Sequence, residues 1–114
     1  MPPLRIGEYG GVMAKEFVNE SDKKRYVLRV DGEIASVVDY AINGTSISFH
    51  RTYTSPAQRG KGLAAEIVEY AVNDVESTTD FHILPMCWYV GEWFDRHPER
   101  AGLLTDRGKR SPAG

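Results

Sequence analysis

The chain is poor in cysteine and has no excess of charge of one sign. A single cysteine, Cys87, rules out a disulfide within the chain and is typical of a reducing compartment, which predicts a cytoplasmic location. The 14 basic and 16 acidic side chains leave a formal net charge of −2. No broad basic surface is therefore expected, and nucleic acid is not expected as a partner.

Long apolar runs and internal repeats are missing as well. No apolar stretch approaches the roughly 18 residues that a membrane-spanning helix needs, and the first residues lack the apolar core of a signal peptide. We therefore expect no membrane partner. The length of 114 residues and the hydrophobic content of 41% suit one domain with one core. We predict this domain over residues 12–104, with flexible termini at 1–11 and 105–114.

The pattern of turns and β-branched residues predicts an antiparallel meander. Asp31-Gly32 and Asn43-Gly44 are dipeptides that favour tight hairpin turns, and each lies between runs rich in Val and Ile. Successive hairpins make neighbouring strands antiparallel. The predicted strands are residues 12–19, 25–30, 33–42 and 45–54. In the fourth of them, strict alternation predicts one face made of Ile47, Phe49, Arg51 and Tyr53.

A change of period after the fourth strand predicts a helix. From Leu63 to Val75, apolar residues recur at every fourth position, with a second apolar column beside them. A short apolar strand follows at residues 81–84, and such a strand–helix–strand unit is a crossover between parallel strands. A second, short helix is predicted at residues 89–97, before Pro98. The predicted fold class is α+β, with a mixed sheet made by the meander and the crossover.

The turn between the fourth strand and the first helix has the composition of an anion site. Arg59-Gly60-Lys61-Gly62 contains two glycines that can adopt a positive φ, which lets the backbone approach a ligand. The helix behind the turn presents unpaired N–H groups and the positive end of its dipole, which together suit phosphate. An ordinary tight turn would use the same glycines, so the wider sequence has to decide between the two interpretations.

Three phosphate-binding patterns can be compared with this turn. A Walker loop does not fit, because Gly60-Lys61 is followed by Gly62 rather than by Ser or Thr. A dinucleotide fingerprint fits in part, since Ala65 stands where the third glycine is expected. The segment from Arg59 to Ala64 reads Arg-x-x-Gly-x-Ala and resembles the acetyl-CoA pyrophosphate loop of the GCN5-related N-acetyltransferases.

The resemblance continues downstream of the loop. Pro85-Met86-Cys87 at a strand end, and His97-Pro98 after it, are similar to a short branch of that superfamily made of small stand-alone domains. The resemblance implies that acetyl-CoA is the cofactor, without a metal, and that an acyl group is transferred to an amine on a small molecule or a protein. Full-length members have two helices that wall the acceptor site, and here only residues 20–24 occupy that place. The site is therefore expected to be open, or completed by a partner such as a second copy.

The same resemblance assigns the cofactor contacts. The backbone of the glycine turn would hold the pyrophosphate, and the edge of the preceding strand would hold the pantetheine arm. The residues of the turn are Arg59, Gly60, Lys61, Gly62, Leu63 and Ala64, and those of the strand edge are Tyr53, Thr54 and Ser55.

Two side chains are candidates for the chemistry. Cys87 follows a parallel strand, where ligands of α/β sheets collect, and precedes a helix whose N-terminus can lower the pKa of a thiol. The sequence permits either a thiol that accepts an acyl group or a buried structural cysteine. His50 is a candidate base by residue type. The short branch has a His-Thr pair whose His, counted back from Arg59, falls at Arg51, so either His50 is not equivalent or a β-bulge re-aims it.

The aromatic residues leave the choice of activity open. Many family members use a Tyr of the last helix to protonate the departing thiolate, but Phe94 stands in that place, and Tyr89 is a weak substitute. Trp88, Trp93 and Phe94 are expected in the core, and His97 is expected to cap the second helix. The sequence permits an acyltransferase, a CoA-binding module without turnover, or an interaction domain with an empty loop. Binding of CoA and turnover of acetyl-CoA distinguish these three.

Overall fold

The computed structural model describes residues 14–104 and contains one mixed sheet in the order β1-β2-β3-β4-β5. The strands are β1 (Lys15–Glu20), β2 (Arg25–Val30), β3 (Glu33–Asn43), β4 (Ser46–Thr54) and β5 (His82–Pro85). The helices are α1 (Leu63–Thr78) and α2 (Trp88–Asp95), and 3-10 turns occur at Ser21–Lys23, Pro56–Gln58 and Pro98–Leu103. β1 to β4 are antiparallel and β5 is parallel to β4. The predicted α+β fold, a meander followed by a crossover, is confirmed, while the termini predicted to be flexible lie outside the described residues.

The first hairpin turn forms at Asp31-Gly32, as the dipeptide predicted. The second forms at Gly44-Thr45, one residue later than the predicted Asn43-Gly44, because Asn43 is the last residue of β3 and pairs with Ser46. Asp31 and Gly32 have φ angles of 52° and 86°, and positive values at both central residues are those of a type I′ turn. Gly44, in the turn before β4, has a φ of 62°. Because of these turns, β2, β3 and β4 lie side by side in the sheet in chain order. The end of β4 therefore leads directly into the crossover to β5.

The core lies between the sheet and the apolar face of α1. Six residues of α1 are buried at helical spacing: Leu63, Ile67, Val68, Ala71, Val72 and Val75. They form one cluster with buried residues of the sheet and of α2, including the fully buried Phe49. Burial of an apolar side chain of this size stabilises the fold by about 1.5–3 kcal/mol. This layer therefore anchors α1 and, with it, the loop that precedes the helix.

A β-bulge interrupts β4 at His50. Tyr40 of β3 pairs with Phe49, but the preceding residue of β3, Asp39, pairs with Arg51. His50 is consequently an extra residue on β4 with no counterpart on β3, which is the definition of a bulge.

The bulge changes the face on which the later residues of β4 lie. Each extra residue shifts the two-residue alternation of a strand by one position. Phe49 is therefore buried, whereas Arg51 and Tyr53 are exposed. The prediction of one face made of Ile47, Phe49, Arg51 and Tyr53 is wrong beyond Phe49. Thr52 instead takes the core-side position.

The connection between β1 and β2 is short, as expected. It consists of the 3-10 turn Ser21–Lys23 and its C-cap residue Lys24. On the face of β2 opposite Tyr26, Val27 is fully buried and lies between Arg25 and Arg29. Both arginines bond to Glu20, at 2.7 and 2.9 Å. Charged side chains of the sheet therefore help to shield Val27 from solvent.

Candidate functional site

The candidate site is the opening between β4 and β5. The two strands pair over a short stretch that ends at Phe49 and Pro85, so residues 50–54 have no strand beside them on this side within the described part of the chain. The carbonyl oxygen of Phe49 accepts the N–H groups of Met86 at 3.0 Å and Cys87 at 2.9 Å. Beyond these bonds β4 continues alone, and a free strand edge faces the start of α2.

Alternate residues of β4 turn their backbone groups into this opening. Tyr53 is turned towards β3, because its carbonyl oxygen accepts a hydrogen bond from Oγ of Ser36 at 2.9 Å. The N–H group of Ser55 also donates to β3. Since backbone groups alternate in direction along a strand, those of Thr52 and Thr54 face the opening. Of the three predicted strand-edge residues, Thr54 presents its backbone to the opening, whereas Tyr53 and Ser55 bond to β3.

The glycine loop connects the free edge of β4 to α1. Gly60 and Gly62 have φ angles of 83° and 75°, so both positions need the conformational freedom of glycine. Gly62 is the N-cap residue of α1, and its carbonyl oxygen accepts the N–H of Glu66. Within residues 14–104 the N–H groups of Gly62, Leu63 and Ala64 have no acceptor. A Cβ at either glycine would meet open space, so the loop presents free donors and room for a ligand.

Two cations flank these donors. Arg59 donates from Nε to the carbonyl oxygen of Thr54 at 3.3 Å, and Lys61 donates from Nζ to Oε1 of Gln58 at 3.2 Å. Both side chains belong to exposed residues, and their positive charges add to that of the helix N-terminus. The structure therefore brings the residues predicted for the pyrophosphate together at the N-terminus of α1.

Cys87 lies across the opening from Thr52. Its Sγ is 3.5 Å from Oγ1 of Thr52, and the residue is half-buried at the N-cap of α2. Burial by itself raises the pKa of the thiol. Hydrogen bonds that the thiolate would accept from the Thr52 hydroxyl and from the N–H groups of Val90, Tyr89 and Thr52 outweigh the effect of burial, and the pKa of Cys87 is lowered. The neutral thiol makes no capping bond, because it is a weak acceptor, so ionisation gives these donors a stronger partner.

His50 is exposed and lies at the bulge. One of the two alternatives for His50 was that a β-bulge re-aims its side chain, and β4 has a bulge at this residue. His50 directly follows Phe49, whose carbonyl oxygen holds Met86 and Cys87. The candidate base is therefore next in the chain to the residue that anchors the candidate thiol.

The aromatic residues of α2 divide into a buried and an exposed group. Trp93 and Phe94 are each 5% exposed, as predicted for core residues, but Trp88 is 76% exposed, so the prediction of Trp88 in the core is wrong. Successive helix residues are about 100° apart, and Trp88 is thus about 200° around the axis from the buried Val90. Helix geometry turns it away from the face that packs on the domain.

In α2, Phe94 stands where the sequence resemblance places a tyrosine acid. Phe94 has no proton to donate. Burial raises the pKa of Tyr89, so this phenol stays protonated at neutral pH. His97 has a structural role, as predicted: Nδ1 donates to the carbonyl oxygen of Trp93 at 2.7 Å, and the two rings stack with centroids 4.0 Å apart.

Thr52 is the residue of this site that the sequence reasoning missed. Its signal is the His-Thr pair of the short branch, because the Thr of that pair falls at position 52 when the pair is counted back from Arg59. Strict alternation put Thr52 on the face opposite Phe49, and only the pairing with β3 shows that the bulge reverses this assignment.

Comparison with known families agrees with this geometry. The sequence model of the GCN5-related N-acetyl-transferase family matches residues 25–103. The chain belongs to this family. The match begins with β2 and reaches the last 3-10 turn, so this N-acetyltransferase domain includes the bulged strand, the glycine loop and Cys87 within it. Family membership supports an acyltransferase-type function. No match was found among curated proteins.

Two further properties concern the described residues of this N-acetyltransferase domain. Residues 14–104 contain no group of His, Cys, Asp and Glu side chains that could hold a metal ion. The same residues form no helix that is both long and apolar enough to span a membrane.

Proposed function

We propose that the chain is an acetyl-CoA-dependent N-acyltransferase that acts on an amine acceptor. The observation that carries the proposal is a single opening with the glycine loop at one end and Cys87 at the other. The free edge of β4 joins the two ends, because Thr52 is next to Cys87 and Thr54 is bonded by Arg59. A ligand with a pyrophosphate at one end and a thioester at the other suits such an arrangement.

The residues present fit acetyl-CoA. The free N–H groups of Gly62, Leu63 and Ala64, with the two cations beside them, would hold the pyrophosphate. The backbone groups of Thr52 and Thr54 would bond the amides of the pantetheine arm. When bound, acetyl-CoA supplies an activated acyl group as a thioester.

The chain supplies a nucleophile and a base for the transfer. Cys87 has a lowered pKa, so a larger share of it is thiolate at neutral pH. The thiolate would bond to the acyl carbon as CoA leaves with its own sulfur as thiolate, and the amine would then displace the acyl group from Cys87. His50 would take the proton that the acceptor amine loses when it displaces the acyl group from sulfur. Tyr89 stays protonated and can act only as a proton donor.

A CoA-binding module without turnover is the second candidate. It is favoured by Phe94, which cannot protonate a leaving thiolate, and by the displacement of His50 from the family's position. The acceptor itself, an amine on a small molecule or a protein, stays a prediction, as do a second copy that completes the open side and a cytoplasmic location.

Binding of acetyl-CoA is tested by thermal unfolding. Acetyl-CoA should raise the melting temperature of the wild type, since a ligand that binds only the folded state stabilises it. Gly62→Val should abolish this rise, because a β-branched residue resists the φ of 75° at Gly62 and obstructs the ligand. Gly44→Val is the matched control, because Gly44 has a φ of 62° at the other end of β4. It should lower the starting melting temperature and keep the rise, and a full rise in Gly62→Val would refute the phosphate site.

Turnover is tested with Cys87→Ser. Serine keeps the shape of the side chain but is a far weaker nucleophile at neutral pH. The variant should retain the rise in melting temperature with acetyl-CoA and lose at least about a hundredfold in acyl transfer to a panel of amines. Transfer at the wild-type rate would make Cys87 structural and leave direct attack by the acceptor amine. Binding without transfer in the wild type would establish the second candidate.

A further inference from the structure

Thr52 and Cys87 are brought together from distant parts of the chain. They are 35 positions apart in sequence, and Sγ lies 3.5 Å from Oγ1. Two features of the fold produce the contact. The bulge at His50 moves Thr52 to the same face of β4 as Phe49, and the carbonyl oxygen of Phe49 fixes the N–H of Cys87 at 2.9 Å.

The hydroxyl of Thr52 has one side-chain partner within residues 14–104, the sulfur of Cys87. A hydroxyl rotates to suit its partner, so it accepts the S–H of a thiol and donates its own hydrogen to a thiolate. A hydrogen bond to an ion is shorter and stronger than one between neutral groups. Ionisation of Cys87 therefore strengthens the contact with Thr52.

We propose that Thr52 is a positioning residue for Cys87, whose hydroxyl donates to the thiolate and holds the sulfur at the open edge of β4. This inference rests on the proposed function in that the thiolate is taken as the acyl acceptor. The proposed role differs from simple packing, because the strength of a packing contact does not change when sulfur is ionised. The lowered pKa of Cys87, to which Thr52 contributes, agrees with it.

The other groups that face Cys87 stay the same when the side chain of Thr52 is substituted, including the backbone N–H of Thr52 itself, which also lowers the pKa of the thiol. On β4 the neighbouring titratable side chain is His50, which is exposed, and Arg51 is paired with Asp39 at 3.3 Å. On α2, Tyr89 stays protonated, and its N–H group and that of Val90 are backbone donors that side-chain substitutions keep. The face of α1 in the core is apolar.

The experiment measures alkylation of Cys87 by iodoacetamide as a function of pH in the free protein. Thr52→Val removes the hydroxyl and keeps the shape of the side chain. At neutral pH we expect alkylation to be about three- to tenfold slower, since a half-buried thiolate loses one charge-assisted hydrogen bond. At alkaline pH, where Cys87 is ionised in both proteins, the variant should react at least as fast as the wild type, because a thiolate of higher pKa is the stronger nucleophile. Thr52→Ser should restore most of the wild-type profile, and Thr45→Val applies the same change at the other end of β4 and should leave it unaltered.

Each outcome bears on the proposal. An alkylation profile that is unchanged in Thr52→Val would overturn the proposal. A rate that falls equally at every pH would also overturn it, because altered access of the reagent to sulfur has that effect. Thr52→Ala provides a second variant without the hydroxyl if valine disturbs folding, which thermal unfolding reports. Alkylation needs neither CoA nor an acceptor. If the alkylation profile shifts in Thr52→Val but the wild type transfers no acyl group, the positioning role of Thr52 is supported and the proposed function is refuted. If the wild type transfers the acyl group but the profile does not shift, only the role of Thr52 is refuted.

Discussion

Ser36 shows how a single buried hydroxyl supports the site. It is fully buried, and its Oγ donates to the carbonyl oxygen of Tyr53 while lying 3.0 Å from Oγ1 of Thr54. Both bonds fall on the part of β4 that has no β5 neighbour. Ser36 therefore holds from the core side an edge that is free on the other side.

Glu20 gives a prediction for the pH dependence of stability. Hydrogen bonds from Arg25 and Arg29 lower the pKa of its carboxyl group. A lowered pKa in the folded state means that the stabilisation is present above the pKa of the unfolded chain and is lost as the pH falls through the folded value. Glu20→Gln should therefore lower the melting temperature at neutral pH, and the difference from the wild type should shrink in acid.

The measurement is a set of thermal unfolding curves at several pH values for both proteins. Asp22→Asn is the control, because Asp22 is an exposed carboxylate of the neighbouring turn without an ion pair in the described residues. It should have little effect at any pH. A deficit of Glu20→Gln that is equal at neutral and acidic pH would show that the carboxylate charge does not stabilise the fold.

At the scale of elements, Arg100 joins the last turn of the described residues to α1. From the 3-10 turn Pro98–Leu103, its Nη2 donates to Oδ1 of Asn73 at 3.0 Å and to Oε1 of Glu76 at 2.8 Å. Its guanidinium group also lies over the ring of Trp93, 5.9 Å from the centroid. The side chain of Arg100 is 19% exposed, so these contacts are partly shielded from solvent. One side chain thereby links α1, α2 and the last turn.

Arg100→Ala should lower the free energy of unfolding by about 1–2 kcal/mol, since a partly buried network and a cation–π contact are lost together. Urea unfolding measures this. Arg96→Ala is the matched control, because Arg96 is 73% exposed and pairs with Glu92 at 3.7 Å across one helical turn. An exposed pair of this kind contributes less than about 0.5 kcal/mol. Equal effects in the two variants would contradict the role given to Arg100.

For the whole molecule, the features that could be predicted from the sequence are those that depend on residues close together in the chain. The hairpin dipeptides and the helical period from Leu63 depend on neighbouring residues, and β2 has the bounds that the pattern predicted. The glycine loop was found for the same reason, because Gly60 and Gly62 stand where the chain needs a positive φ. Family motifs then pointed to Cys87, which the structure places opposite Thr52.

What the sequence could not predict depends on pairing between distant segments. The bulge at His50 exists only in relation to β3, since the same residues in an unpaired strand would alternate regularly. The direction of the backbone at Tyr53 and Ser55 follows from that pairing as well. Trp88 is apolar and next to a buried helix face, and its exposure follows from the residue at which α2 begins.

The extra residue at position 50 divides β4 into two segments of opposite parity. Before it, odd-numbered positions such as Phe49 point to the core, and after it even-numbered positions such as Thr52 do. Tolerance to substitution along this strand should therefore follow two periodic patterns that are out of phase by one residue. Pairing the same residues with β3 without the bulge would bring Arg51 inward and carry Thr52 away from sulfur, so the register at this position matters as much as residue type.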